Sequence, residues 1–176
     1  MRTIVFVLLL LLLPLAYAGP LPVTHAKPSL VYEYGTPVSR ESGELSTHRI
    51  EYQHPFYQFD NFSLDVTGSV GTLSATAAES ATFGSGLGFR YMPAYAWQIR
   101  MFGGISYLEE YRLQARTGEF EDFGGNLQFN YNFEVNWLVP IAQVVAGYRF
   151  QHMSNAGIYD ANPRLNTHNL TLAWRF

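Results

Sequence analysis

The sequence predicts an all-β protein, an eight-stranded antiparallel transmembrane β-barrel. Apolar and polar residues alternate over segments of about ten residues, which is the period and the length of a membrane-spanning strand. The chain is 48% hydrophobic and 16% aromatic but only 14% charged, and such barrels place aromatic side chains at both membrane interfaces. Residues 170–176 continue the alternation and end in Phe176.

The first residues predict an export signal. Arg2 gives a positive start, residues 4–13 form an unbroken apolar run, and Ala16-Tyr17-Ala18 reads as a small-residue cleavage site. The run is shorter than the roughly 20 residues that a membrane-spanning helix needs. We therefore expect a signal peptide at 1–18 and an outer-membrane β-barrel domain at 19–176, whose last strand resembles the final strand of bacterial outer-membrane proteins.

The alternation divides the barrel domain into eight strands. The clearest pattern carries apolar residues from Phe123 to Phe133 on one face and polar residues from Asp122 to Asn132 on the other. Because successive side chains of a strand point to opposite faces, the apolar set is expected outside and the polar set inside. The predicted strands are 29–36, 46–57, 62–74, 82–92, 96–108, 121–133, 138–154 and 165–176.

The connections indicate which end of the barrel faces outward. Short ones are predicted at Asp60-Asn61, Pro93-Ala94 and Glu134-Val135-Asn136, and longer polar ones at 37–45, 75–81, 109–120 and 155–164. Short turns are typical of the periplasmic end and long loops of the outer end. Both termini are then periplasmic, and the seventh strand ends at the cell surface.

The charged residues on the inward faces predict a filled barrel. An eight-stranded barrel is wide enough for side chains but leaves no channel, and buried charges persist mainly as pairs. The predicted inward charges are Arg49, Glu51, Asp65, Arg90, Arg100, Arg149 and Arg175.

Composition excludes several classes of function. A net charge of −3 gives no basic footprint, so no nucleic-acid partner is expected. The absence of cysteine excludes disulfides and thiol chemistry. His25, His48 and His54 lack the spacing of metal ligands. We therefore expect neither a metal nor an organic cofactor.

A potential base and a potential nucleophile lie two residues apart near the end of the seventh strand. His152 and Ser154 share a strand face with Tyr148 and Phe150, which is the face expected to contact lipid. A serine hydroxyl needs a neighbouring base to become a nucleophile, and an imidazole can supply one. A site on the lipid-facing wall predicts an enzyme with a lipid substrate.

Residues 150–158, which read FQHMSNAGI, precede Asn162-Pro163 and an aromatic-ended strand. This arrangement resembles the lipid A 3-O-deacylase (PagL) family, most closely over 148–176. The resemblance implies a multi-pass esterase of the bacterial outer membrane that removes the 3-position hydroxyacyl chain of lipid A in lipopolysaccharide. It implies that His152 is the base, Ser154 the nucleophile and Asn155 an oxyanion contributor. The implied partners are the lipid A substrate and outer-membrane lipids, and the chain would be a monomer or a homodimer.

One position departs from the family pattern. Where the family carries a glutamate on the last strand, this chain has Asn166. An amide oxygen can also orient an imidazole, as in Cys-His-Asn proteases, and Asp160 or His168 are the alternatives for this role. Two rival functions remain open: a non-catalytic structural or adhesive barrel, which the departure favours, and acyl transfer, which needs an inner pocket that the inward charges disfavour.

Overall fold

The computed structural model describes residues 26–38, 45–94, 96–114, 120–139 and 143–176. The signal peptide predicted at 1–18 lies outside these residues and stays a prediction. Within the described residues, the chain contains no helix that is long and apolar enough to cross a membrane.

Eight antiparallel strands close into a barrel, which confirms the predicted fold. The strands of the barrel are β1 Ser29–Pro37, β2 Ser46–Phe59, β3 Phe62–Ser74, β4 Glu79–Ala94, β5 Trp97–Leu108, β8 Leu127–Leu138, β9 Val144–Ser154 and β10 Leu165–Arg175. Their order around the barrel is β1, β10, β9, β8, β5, β4, β3 and β2. The remaining strands, β6 Arg112–Gln114 and β7 Phe120–Asp122, pair with each other in the third outer loop.

The two faces of the wall have opposite character. Outward side chains are large and apolar, and they stay exposed: Leu170 is 69%, Leu87 62% and Tyr131 60% exposed. The inward residues between them are polar and buried. An apolar outside and a polar inside are what a barrel wall in lipid requires.

A network of ion pairs fills the lumen, as the inward charges predicted. Arg149 pairs with Glu134 at 2.7 Å, and Arg100 pairs with Glu134 at 2.7 Å and with Asp65 at 3.2 Å. Arg90 pairs with Asp65 at 2.7 Å. Further carboxylates in the network are Glu33 and Glu51. Because each of these charges has a buried partner, the strands are cross-linked from inside the lumen.

An apolar cluster closes the outer end of the lumen above this network. Its members all come from the outer strand ends or outer loops: Leu45, Leu73, Leu108, Leu113, Phe123, Met153 and Leu165. Met153 is the neighbour of Ser154 in the chain, and Leu165 is the neighbour of Asn166. The cluster therefore packs directly behind the residues predicted to form the site.

Four predicted boundaries are wrong. Glu134-Val135-Asn136 lies inside β8 rather than in a turn, because Glu134 points inward to its arginine partners and the alternation continues to Leu138. The seventh strand, β9, consequently begins at Val144 rather than 138. Pro93-Ala94 ends β4 instead of forming the turn. The predicted strand 121–133 also begins too early, because Phe123 is buried in the outer apolar cluster instead of facing lipid.

Candidate active site

Three neighbouring strands bring the candidate residues together at the outer end of the barrel. In the antiparallel register, His152 of β9 stands beside Asn166 of β10 and beside Tyr131 of β8. Ser154 stands beside Phe129 of β8. Since Gln151 and the other alternate residues of β9 are buried inside, His152 and Ser154 belong to the outward face, as predicted.

The His152 ring is held from one side by Asn166. Nδ1 of His152 lies 2.7 Å from Oδ1 of Asn166. An amide oxygen can only accept a hydrogen bond, so Nδ1 carries the proton in this pair. In the neutral ring the other nitrogen, Nε2, then has the free lone pair that a general base needs.

Tyr131 holds the same ring from the other side. The ring centroids of Tyr131 and His152 are 6.4 Å apart, and their planes meet at 28°. His152 is half-buried between the two neighbours. The sequence alone gave no indication of Tyr131, because the register between β8 and β9 cannot be obtained from either strand by itself.

Ser154 lies at the end of β9 and is 7% exposed. Among the described residues, the Ser154 hydroxyl and the His152 ring share the outward face but make no hydrogen bond with each other. Hydrogen bonds of catalytic pairs are often formed only with substrate bound.

Asn155 is fully buried and ties the fourth outer loop together. Its side-chain amide donates to the carbonyl oxygen of Ala161 at 2.6 Å and to that of Phe123 at 3.4 Å. Its backbone N–H donates to Oδ1 of Asn162 at 3.1 Å, and its Oδ1 accepts from Gly157 at 2.9 Å. Both side-chain donors are thus occupied, and the predicted contribution of Asn155 to an oxyanion site would require one of them to be released.

A tight turn follows Asn155 and presents a backbone donor. Ile158 N–H donates to the Asn155 carbonyl at 3.1 Å, and Ala156 and Gly157 have φ angles of 54° and 78°. Two positive φ angles at the centre of a turn are the pattern of type I′. Within residues 155–158, the N–H groups of Asn155, Gly157 and Ile158 have acceptors among the described residues. Ala156 N–H has none there, so it is available to contact a ligand.

Two glycines of the third outer loop support this turn from below. A Cβ atom at Gly124, whose φ is 76°, would lie 1.9 Å from the Ala161 oxygen, and one at Gly125 would lie 2.2 Å from the Tyr159 ring. Gly124 N–H donates to Asp122 at 2.7 Å. This bond, and then the one from the Arg112 guanidinium, holds the pKa of Asp122 below its ordinary value. The fourth outer loop therefore packs directly against the glycine backbone of the third outer loop, and a side chain at either glycine would displace it.

The other two groups considered for orienting His152 have different environments. Asp160 is exposed in the loop, and among the described residues it makes no hydrogen bond or ion pair with His152. Nδ1 of His168 is hydrogen-bonded to the hydroxyl of Tyr148. Of the three alternatives, the structure brings only Asn166 to His152. In the described part of the chain, no three histidine or carboxylate side chains come together as metal ligands would.

Comparison with known proteins gives the same family as the sequence motif. The profile of the family described as lipid A 3-O-deacylase (PagL) matches residues 43–175. No curated protein gives a significant match.

Among solved structures, the crystal structure of the outer membrane enzyme PagL is similar, with a TM-score of 0.67 and 14% identity over 84% of this chain and 99% of that chain. The Yersinia pestis outer membrane protein Ail in a nanodisc has a TM-score of 0.53 and 11% identity over 86% of this chain and 100% of that one. A de novo designed transmembrane barrel has a TM-score of 0.52 and 9% identity over 87% and 98%. At these identities the likenesses establish the barrel fold.

Proposed function

Because the chain belongs to the lipid A 3-O-deacylase (PagL) family, we propose that it is a serine esterase of the bacterial outer membrane that hydrolyses the 3-O-linked hydroxyacyl chain of lipid A. The observation that carries the proposal is the 2.7 Å hydrogen bond from His152 Nδ1 to Asn166, two residues from Ser154 on an outward-facing wall. This hydrogen bond supports a role for His152 as the base, because it leaves Nε2, on the side of the ring away from Asn166, free to accept a proton.

In the proposed first step, the Ser154 hydroxyl attacks the ester carbonyl while Nε2 of His152 accepts its proton. The carbonyl oxygen becomes an oxyanion, which Ala156 N–H would stabilise, with the contribution that family resemblance assigns to Asn155. The ester bond then breaks, and His152 returns the proton to the departing 3-oxygen of the sugar. The acyl chain stays on Ser154.

In the second step, His152 takes a proton from water as the water attacks the acyl-enzyme. Collapse of the second intermediate releases a 3-hydroxy fatty acid, and the proton returns to Ser154. All proton transfers use the same imidazole nitrogen, so the sequence needs no further acid or base.

The substrate would reach this site sideways from the outer leaflet. The lumen beneath the outer apolar cluster holds a cavity of about 20 Å³, lined by residues that include Arg49 and Gln151. That volume has room for a single water molecule and not for an acyl chain. The same fact argues against acyl transfer with a donor chain bound inside the barrel.

With Asn166 in place of a carboxylate, we expect a lower catalytic rate. A neutral amide accepts a hydrogen bond from Nδ1, but it stabilises the imidazolium formed in each step less than a carboxylate would. This is the observation that favours the second candidate function, a structural or adhesive barrel without catalysis.

Mass spectrometry of lipid A from cells that express the protein separates the two functions. We expect the native protein to remove one hydroxyacyl chain and Ser154→Ala to leave lipid A unchanged. Ser85→Ala, which alters an exposed serine on the outward face of β4, serves as the matched control and should behave as the native protein. Unchanged lipid A with folded native protein in the outer membrane would show that the barrel is not a deacylase.

A further inference from the structure

A group of polar side chains interrupts the apolar outside of the barrel beside the candidate active site. Thr36 of β1, His48 of β2 and His168 of β10 are all exposed near the outer ends of their strands, and Arg164 is exposed just before β10. These four residues are here called the polar patch. Thr36 pairs with His168 in the register, and His48 pairs with Tyr34 of the same strand, so the patch spans the three neighbouring strands β10, β1 and β2.

The opposite wall is more apolar at the corresponding height. Near the outer ends of β4 and β5, the outward side chains include Phe83, Ile105 and Tyr107, which are 53%, 46% and 50% exposed. The polar side chain among them is Ser85, which carries no charge. Polar side chains on a lipid-facing wall are costly, and they mark functional positions more often than chance. The position of the polar patch on one side of the barrel therefore indicates a ligand-binding surface formed by β10, β1 and β2.

Both histidines of the polar patch are held by tyrosine hydroxyls. The Tyr148 hydroxyl is hydrogen-bonded to Nδ1 of His168, and the Tyr32 hydroxyl lies 2.8 Å from Nδ1 of His48. In the tautomer in which the hydroxyl donates to Nδ1, the ring proton is on Nε2. In that tautomer each ring offers one N–H donor to a ligand, and such donors bind acceptor oxygens.

Arg164 adds a charge to these donors. Among the described residues no carboxylate lies within ion-pair distance of Arg164, whereas Arg112 of the third outer loop is paired with Asp122 at 2.8 Å. The loop that ends at Arg164 is closed by the bond from Asn155 N–H to Asn162, so its end has a defined position beside β10. The polar patch thus combines two imidazole rings with a guanidinium that pairs with no carboxylate of the described residues.

We propose that the polar patch binds the phosphorylated sugar headgroup of the lipid substrate. A guanidinium binds phosphate through two parallel hydrogen bonds, so Arg164 would take the phosphate. The imidazole N–H groups of His168 and His48 would take phosphate or sugar oxygens. This inference rests on the proposed function and adds an orientation to it: the headgroup lies over β10, β1 and β2, and the scissile ester reaches His152 from that side.

Binding can be measured without hydrolysis in a Ser154→Ala background. The mature protein is placed in phosphatidylethanolamine nanodiscs, and native mass spectrometry gives dissociation constants for bis-phosphorylated lipid A and for phosphate-free lipid A. We expect phosphate removal to weaken binding about tenfold, the effect of losing one charge-assisted hydrogen bond. Arg164→Ala should weaken binding of the phosphorylated lipid by the same factor and abolish the discrimination, while Arg164→Lys should restore part of it.

A matched pair of histidine variants tests the rest of the patch. His54 also pairs with a tyrosine, Tyr52, at 3.1 Å, but it lies nearer the other end of β2. His168→Phe should weaken binding severalfold, whereas His54→Phe should leave it unchanged. Equal effects of the two substitutions would overturn the inference, because mutual pairing of tyrosine and histidine in the wall would then explain both.

Two further outcomes would also overturn it. One is equal affinity for phosphorylated and phosphate-free lipid A, and the other is equal competition by phosphatidylglycerol, which carries a phosphate without the sugar. If the proposed function is wrong, the experiments give a different result. A native protein that leaves lipid A intact but still discriminates by phosphate refutes the deacylase and leaves the headgroup site standing.

Discussion

Replacement of Asn166 tests the central contact of the proposed mechanism. Asn166→Ala removes the acceptor 2.7 Å from His152 Nδ1 and leaves that donor half-buried without a partner. A buried donor without a partner costs about 1 to 3 kcal/mol. Since about 1.4 kcal/mol corresponds to a tenfold rate change, we expect kcat/KM to fall roughly tenfold to a hundredfold.

The acidic variants should act in the opposite direction. Asn166→Asp keeps the shape of the side chain, and Asn166→Glu restores the residue of the family pattern. A charge-assisted hydrogen bond is about twice as strong as a neutral one, so both variants should retain or raise kcat. Because a carboxylate favours the protonated imidazole, the acidic limb of the pH–rate profile should move to higher pH in Asn166→Asp, an effect that a purely structural role would not produce.

The assay is release of 3-hydroxy fatty acid from lipid A in mixed micelles by purified, folded barrels. Folding is monitored separately by the heat-dependent shift of the barrel on gels. Asp160→Asn is the control, since Asp160 makes no hydrogen bond or ion pair with His152 among the described residues, and it should retain full activity. A loss of activity in Asp160→Asn together with an active Asn166→Ala would refute the assignment of Asn166.

Three further changes probe the surroundings of the site. Tyr131→Ala should lower kcat about threefold to tenfold, because an aromatic pair contributes about 0.5 to 1.5 kcal/mol, while Tyr131→Phe should keep the rate; equal loss in both would assign the effect to the hydroxyl. Gly125→Ala should displace the Tyr159 ring and reduce activity without unfolding the barrel, and adding Tyr159→Ala should recover part of it; no recovery would place the damage elsewhere. Ala156→Gly should relieve a positive φ and raise the free energy of unfolding in urea by about 1 kcal/mol; an unchanged midpoint would show that the turn is open before the barrel unfolds.

The barrel could be predicted from the sequence because its main signal is local. A period of two residues determines which side chains face lipid, and it needs no information about neighbouring strands. That rule placed His152 and Ser154 on the outward face. It also identified Arg149 as an inward residue, and the structure shows its ion pairs there.

The strand prediction was wrong at residues whose type is compatible with two different environments in the barrel. Glu134 and Asn136 resemble a turn by composition, yet both are inward residues of β8, and Glu134 is a partner of two arginines. Phe123 resembles a lipid-facing residue, yet it packs in the outer apolar cluster. Burial in a small polar lumen or under a loop depends on residues far away in the chain, which a local pattern does not contain.

Around the candidate site, too, some contacts could be predicted from the sequence and others depend on residues that are distant in the chain. The family resemblance gives Asn166 as one of three candidates for orienting His152, beside Asp160 and His168, and the structure shows a hydrogen bond between His152 and Asn166. The stacking of Tyr131, and the support of the fourth loop by Gly124 and Gly125, depend on the register of β8 and on contacts between two outer loops. The sequence pattern of one segment therefore predicts neither the stacking of Tyr131 nor the support of the fourth outer loop.

The closed lumen has a consequence for how the two reactants would meet. The proposed hydrolysis needs water, and in the described residues the ion-pair network and the outer apolar cluster fill the barrel behind Ser154. Water would therefore arrive over the outer rim, past Ala156 and Gly157, while the ester would arrive through the leaflet. The proposed chemistry thus requires a serine at the end of β9, at the height where lipid and water meet.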